Sequence, residues 1–390
     1  MATPIGERAI SDAVRVGNAI LKFISANDVG RTGGHQCGYY LPKAVWEMFT
    51  EHPPKKGRND ETAVEIQWQD GRVTDSRVKW YGKGTRSEYR LTRFGKDFPF
   101  LTHDNVGDLL VLIIEDHRHF LAYVLDLEND IEEIQAALGV EITVSWAAYR
   151  NGQPQIEPED EENCINRRFR RFAEALRDFP PGEAFSQEAR ATLAECLRAF
   201  QGFSADDALI HCMDAEYRLF RLAERQISGP EIQRLFRDVD DFLATASRIM
   251  NRRKARAGRS LENHVDWVLT RANIPHTMRP NVDGRPDVLI PSVEAYLDND
   301  YPLDRLFAVG VKTTCKDRWR QVLNEARRVR HKHILTIQQG ISANQLAEMH
   351  QANVTLVVPR DIQRQYPKGG EIEMQSIEQF IETIRRRVVQ

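Results

Sequence analysis

Short runs of β-forming residues, separated by turns, mark the first part of the chain. Glu65–Trp68, Arg77–Tyr81, Leu109–Ile114 and His119–Val124 concentrate Val, Ile, Leu, Phe, Tyr and Trp, the composition of buried or half-buried strands. Glycine- and aspartate-rich turns lie between them. The pattern predicts a β-rich, barrel-like domain with a few helices over residues 1–150.

Residues 151–164 open with Asn-Gly-Gln-Pro-Gln-Ile-Glu-Pro-Glu-Asp-Glu-Glu, a polar stretch with two prolines that ends in acids. This is linker composition, and it predicts a second domain over 165–390. There the apolar spacing turns helical over Arg167–Phe179, Gln187–Phe200, Ala205–Gln226 and Pro230–Met250, with Pro180-Pro181-Gly182 and Ser228-Gly229-Pro230 as breaks. From Ser260 onward helix and strand alternate: helix Leu261–Ala272, strands Pro286–Ile290 and Leu306–Thr313, helix Asp317–Arg330, strand His333–Gln338, helix Ala343–Met349, strand Val354–Val358 and a last helix from Ser376. That order describes an α/β core, a central mixed sheet flanked by helices, with the preceding helices as an insertion.

Composition adds bounds. The 390 residues, 41% hydrophobic and 28% charged, suffice for two cores. No apolar run approaches the length of about eighteen residues needed to span a bilayer, and Met1–Val16 lacks a signal peptide's apolar stretch. A cytoplasmic protein without membrane contact is expected. The five cysteines (Cys37, Cys164, Cys196, Cys212 and Cys315) are scattered and never spaced C-x-x-C, which suggests reduced thiols and neither a disulfide framework nor a zinc site.

The formal net charge of −3 excludes a simple polycation, yet basic residues cluster. Between Val311 and Lys332 stand Lys312, Lys316, Arg318, Arg320, Arg327, Arg328, Arg330 and Lys332 against only Asp317 and Glu325; Arg252, Arg253, Lys254, Arg256 and Arg259 form a second block. Such runs are commonly solvated helix faces. Here, however, charges also fall where they are costly: Asp287 opens an apolar strand and Lys312 closes another. Glu325 lies on the flank of a stripe formed by Trp319, Val322, Leu323, Ala326 and Val329, as Glu262 does beside Leu261, Val265, Val268 and Leu269. Phosphodiester hydrolysis needs carboxylates to hold Mg2+ and a cation beside the attacking water. Asp287 and Glu325 suit the metal, Lys312 the water and phosphate, and Glu262 an auxiliary acid. Spacing alone leaves a second reading open, in which Asp287 and Lys312 form a surface ion pair.

The segments Ser247–Glu262, Pro286-Asp287, Val311–Ala326 and Val354–Pro359 resemble the catalytic domain of EcoRII-type restriction enzymes, over roughly the last third of the chain. The resemblance implies a variant PD-(D/E)XK nuclease in which Asp287, Lys312 and Glu325 are catalytic, with Glu325 on the helix after the catalytic strand and Glu262 as an additional upstream acid. It implies a type II endonuclease making double-strand breaks in DNA. Lys316, Asp317 and Arg318 are chemically suited to reading G·C pairs, or to capping a helix with two solvated cations beside the cap. In the family they read the CC/GG pairs of a CCNGG or CCWGG site, whose central pair is flipped out in relatives.

Ser25–Pro42 and Gly84–Gly95 look like the two DNA-gripping arms of the EcoRII effector domain, a pseudobarrel related to plant B3 domains. That resemblance places Arg31, His35, Tyr40, Arg86, Glu88 and Arg90 on DNA; the family pattern has lysines where this chain has Gly84 and Tyr89. It further implies a prokaryotic homodimer that binds target and effector copies of duplex DNA, is autoinhibited until the N-terminal domain captures the second copy, and works beside a DNA cytosine methyltransferase of the same site. Two other readings are a non-catalytic DNA-binding regulator and a repair or junction nuclease on the same fold.

Overall fold

The computed structural model describes residues 2–30, 37–83, 87–142, 146–151, 161–316, 318–367 and 374–389. The chain packs as two compact units. One comprises residues 1–155 with 339–348 and 362–372; the other comprises 156–338, 349–361 and 373–390.

The first unit holds eight strands: β1 (Asn18–Phe23), β2 (Tyr39–Leu41), β3 (Asp60–Trp68), β4 (Val73–Tyr81), β5 (Glu88–Thr92), β6 (Leu109–Ile114), β7 (His119–Leu125) and β8 (Trp146–Arg150). They form one sheet in the order β2-β5-β4-β3-β7-β6-β1-β8. Every pairing is antiparallel except β3 with β7. Along β3 and β4 buried and accessible positions alternate, because only one face of those strands meets a core. All of β6 is buried, since both its faces are covered. One face joins the cluster of Tyr39, Trp68, Trp80 and Tyr89. The other packs with Ala9, Ala13 and Ile131, from helices α1 (Pro4–Val16) and α2 (Glu128–Leu138). Helix α1 begins where the Thr3 hydroxyl accepts the Gly6 N–H and ends at Gly17, whose φ of 73° is left-handed.

The second unit opens with four helices: α3 (Glu161–Ala175), α4 (Gly182–Cys196), α5 (Ala205–Gln233) and α6 (Val239–Arg271). The break expected at Ser228-Gly229-Pro230 does not occur: α5 continues through Pro230 to Gln233, and the chain turns before Asp238, whose side chain caps α6. The cysteines need a second correction. Cys164 and Cys196 form a disulfide with Cα atoms 5.6 Å apart, because packing of α3 on α4 brings an early residue of one helix to the end of the other. Cys37, Cys212 and Cys315 are not disulfide-bonded.

A six-stranded mixed sheet follows, in the order β14-β13-β12-β11-β10-β9, built from β9 (Thr277–Met278), β10 (Val288–Ile290), β11 (Phe307–Lys312), β12 (Lys332–Thr336), β13 (Val354–Val357) and β14 (Met374–Gln375). Strands β9, β10 and β11 are antiparallel neighbours, and β11 to β14 are parallel. The register Val288↔Val309 and Ile290↔Phe307 sets the start of β10 beside the end of β11.

Candidate active site

The antiparallel ladder brings Asp287 to Lys312. Oxygen Oδ2 of Asp287 accepts the Val311 backbone N–H at 2.7 Å and the Lys312 ammonium at 2.7 Å. Both side chains are largely enclosed, Asp287 at 18% and Lys312 at 23% exposed. Oδ1 of Asp287 makes no hydrogen bond among the described residues, so one carboxylate oxygen is held in place and the other is available.

Glu325 reaches the same place by an unexpected route. The helix expected over Asp317–Arg330 is instead a 3-10 turn at Trp319–Asn324, and Glu325 follows it in extended conformation (φ −85°, ψ 142°). Trp319, Val322, Ala326 and Val329 are buried as the stripe requires, but Leu323 is 37% exposed, because the 3-10 rotation displaces it from that face. Gly310 allows this turn to pack on β11: a Cβ there would meet Val322 Cγ1 at 2.7 Å. Burial pushes the Glu325 carboxyl up to about 7; Lys312 and Lys332 oppose the rise and the Asp287 charge adds to it. The Glu325 carboxyl therefore lies within electrostatic reach of both Asp287 and Lys312.

Glu262 stands apart from that group. It lies on α6 next to Leu261, Val265, Val268 and Leu269, all buried. Its carboxylate is paired with Arg279. Arg279, at a left-handed φ of 45°, donates its backbone N–H to the Asp287 carbonyl at 2.7 Å, so Glu262 touches the site through one residue. No cluster of three or more His, Cys, Asp or Glu side chains able to hold a metal occurs among the described residues. Asp287 and Glu325 nonetheless suit a hard cation of the Mg2+ kind, which takes one or two carboxylates and fills its shell with water and phosphate oxygens.

Sequence reasoning missed the residues that set Glu325. Ala326 takes a left-handed φ of 40°, and its N–H donates to the Asp283 carbonyl at 2.8 Å. The Arg327 N–H donates to Asp283 Oδ2 at 2.8 Å, and the Tyr296 hydroxyl donates to Oδ1 at 2.5 Å. Lys332, only 3% exposed, donates to the carbonyls of Glu325 at 2.5 Å and Ala326 at 2.7 Å. Its burial lowers the ammonium to about 8. A charge at the start of a wholly buried strand is the feature that marks Lys332.

The basic clusters divide between structural and accessible roles. Arg253 pairs with Glu224 at 2.8 Å, Arg256 packs over Tyr217 and Phe220, and Arg252 stacks on Phe179 at 3.7 Å; the second block thus joins α6 to its neighbours. Arg328 donates to the Tyr301 carbonyl at 3.0 Å. Of the triplet proposed to read base edges, Lys316 is buried, Arg318 donates to Thr314 Oγ1 at 3.3 Å, and Asp317 lies outside the described residues.

On the first unit, Tyr40 pairs in register with Arg90, and the Arg90 guanidinium contacts the Glu88 carboxylate at 3.2 Å. The Tyr40 phenol is raised by burial and by Glu88, against the opposing charge of Arg90. Tyr89 points the other way, 4.9 Å from Phe49 and 4.8 Å from Trp80 between ring centroids, as strand alternation requires. Asp28 ties Tyr40 to the Ser25 turn: its Oδ1 accepts the Tyr40 N–H at 2.7 Å, its Oδ2 accepts the Ser25 N–H at 2.8 Å, and buried Lys22 neutralises it. Arg31, His35 and Arg86 lie outside the described residues.

Comparison with known proteins gives matches over both halves. Residues 14–148 match the family described as "Restriction endonuclease EcoRII, N-terminal", and residues 220–381 match "EcoRII C terminal". Over 378 residues the chain is 30% identical to the type II restriction enzyme EcoRII of Escherichia coli, covering 93% of this chain and 92% of that protein. Among solved structures, metal-depleted Ecl18kI in complex with uncleaved, modified DNA has a TM-score of 0.46 at 18% identity over 57% of this chain and 84% of that one. The complex of restriction endonuclease PspGI with substrate DNA has a TM-score of 0.44 at 15% identity over 54% of this chain and 94% of that one.

Proposed function

This chain belongs to the EcoRII family of type II restriction endonucleases, and we propose that it hydrolyses duplex DNA through Asp287, Lys312 and Glu325 with Mg2+. The observation that carries the reading is the shared oxygen of Asp287, fixed by Val311 and Lys312 beside the raised carboxyl of Glu325. Asp287 and Glu325 would hold the cation, whose charge offsets that developing on the phosphate. Lys312 would donate to the attacking water or to the scissile phosphate. Glu262, paired with Arg279 in this structure, would complete the acidic cluster directly or through a metal-bound water.

The target we propose is a CCNGG-type site such as CCWGG, read in part by Lys316, Asp317 and Arg318. Residues 1–150 would be the effector-binding domain, 151–164 the linker and 165–390 the catalytic domain. Tyr40, Glu88 and Arg90 would grip the effector DNA together with Arg31, His35 and Arg86, since a tyrosine, a carboxylate and a guanidinium on the paired strands β2 and β5 offer both base-edge and phosphate contacts. The protein would act as a prokaryotic, cytoplasmic homodimer, held inactive until a second site is bound, beside a cytosine methyltransferase protecting the same sequence. No helix among the described residues is long and apolar enough to cross a membrane.

The test is digestion of mapped plasmids with Mg2+, followed by sequencing of the ends. Cutting at one short motif, faster with two copies than with one and stimulated by an added oligonucleotide duplex, is expected. Cutting that follows branched structure instead of sequence would reject the restriction reading, and equal rates on one-site and two-site plasmids would reject the effector mechanism.

A further inference from the structure

Glu325 sits on a segment that no regular element holds. The 3-10 turn has ended at Asn324, and Ala326 takes a left-handed backbone conformation that a residue with a Cβ seldom adopts. Three grips keep it there. Asp283 receives the Ala326 N–H on its carbonyl and the Arg327 N–H on its carboxylate. Gly284, itself at φ 72°, lies so close that a Cβ would meet the Asn324 oxygen at 2.4 Å and the Glu325 Cα at 2.5 Å. Lys332 closes the third side with its ammonium on the carbonyls of Glu325 and Ala326.

A buried lysine is a costly way to begin a strand whose other positions are also buried. An apolar side chain would fill that place more cheaply if packing were the only demand. The ammonium donates to the two carbonyls of the Glu325 turn, and Asp283 and Glu325 are the charges that steady it. Because Lys332 belongs to β12, which is hydrogen-bonded to β11, it fixes the Glu325 backbone against the sheet that carries Lys312.

We propose that Lys332, with Asp283 opposite, is a positioning residue of the hydrolytic centre: it clamps the Glu325 turn so that two carboxylates converge on one divalent cation. The inference rests on the nuclease reading above and assigns the clamp no contact with DNA. A carboxylate on a loosened turn still bears its charge, but it meets the cation less often, so cation affinity is the quantity that should move.

The experiment compares full-length Lys332→Met with the native protein and with Asp287→Ala. Mn2+ affinity is read from the EPR signal of the unbound ion, alongside the Mg2+ dependence of cleavage, duplex binding in metal-free buffer, and thermal melting. Lys332→Met is expected to weaken Mn2+ binding and raise the half-maximal Mg2+ about tenfold or more, with duplex binding held within about twofold. Unchanged Mn2+ affinity overturns the proposal, as does parallel loss of duplex binding and metal binding, which is what a purely structural lysine gives. Should Lys332→Met fail to fold, Asp283→Asn is judged by the same criteria. Asp287→Ala separates the two levels: if it still cuts, the nuclease assignment fails, whereas an inactive Asp287→Ala beside a Lys332→Met with native Mn2+ affinity removes only the clamp.

Discussion

Asp287 and Lys312 meet through a single oxygen. The Lys312 ammonium and the Val311 amide both donate to Asp287 Oδ2, each at 2.7 Å, so the side chain that would bind metal is already oriented by the strand that carries the lysine. This orientation costs no reorganisation when a ligand arrives.

Asp287→Asn removes the charge while keeping the shape and an acceptor for Val311. Cleavage should fall by more than about 100-fold, and binding of the specific duplex should stay within a few-fold. Single-turnover cleavage and gel-shift titration measure the two; a comparable loss in both would mean that Asp287 builds the DNA surface and not the hydrolytic centre.

Glu325 makes the reaction pH-dependent in a calculable direction. Its carboxyl, pushed up to about 7, binds a proton more tightly folded than unfolded. Its contribution to stability is therefore present in full below the unfolded value of about 4.3 and is lost as pH rises through the folded value. Catalysis runs the other way, because the cation needs the carboxylate. At limiting Mg2+ the rate should drop about tenfold per pH unit below neutrality, and excess Mg2+ should move the drop to lower pH. Rate profiles at two Mg2+ concentrations test this, and a midpoint indifferent to Mg2+ counts against it.

Gly284→Ala should damage the site from outside it. The new Cβ would strike the Asn324 oxygen at 2.4 Å at a backbone φ of 72°. The strain is worth about 1–3 kcal/mol, and a displacement of Glu325 near 1 Å costs roughly 100-fold in rate. Thermal melting and single-turnover cleavage check both numbers; a native rate would mean that the turn yields without carrying Glu325 with it.

Glu262 and Arg279 should behave as one unit, since the carboxylate is paired with the guanidinium and the Arg279 backbone holds Asp287. Glu262→Gln and Arg279→Ala should each cost about 10- to 100-fold in rate, with the double variant no worse than the poorer single. Multiplying losses would show two independent roles.

Much of this architecture is legible in the chain. Strands β6, β7 and β11 stand out because continuous apolar runs have few other fates, and Asp287 and Lys312 stand out because each charges the end of such a run. What stayed hidden is non-local. The spacing of Trp319, Val322, Ala326 and Val329 fits a helix, but Asp283, Gly284 and Lys332 hold the chain out of one, and none of the three is near Trp319 in sequence. Cys164 and Cys196 likewise meet only after α3 and α4 pack, 32 residues apart along the chain. Arg253 and Arg256 read as solvent-facing because Glu224, Tyr217 and Phe220, which receive them, lie on a different helix.

The ladder between β10 and β11 has a practical side. Because the register at Val288↔Val309 fixes the separation of Asp287 and Lys312, the connection between the strands is not what spaces them. Its exposed tip, Leu297 to Asp300, is therefore where a fluorophore or an epitope could be grafted into the nuclease, giving a reporter joined to the Glu325 turn through Tyr296, whose hydroxyl donates to Asp283.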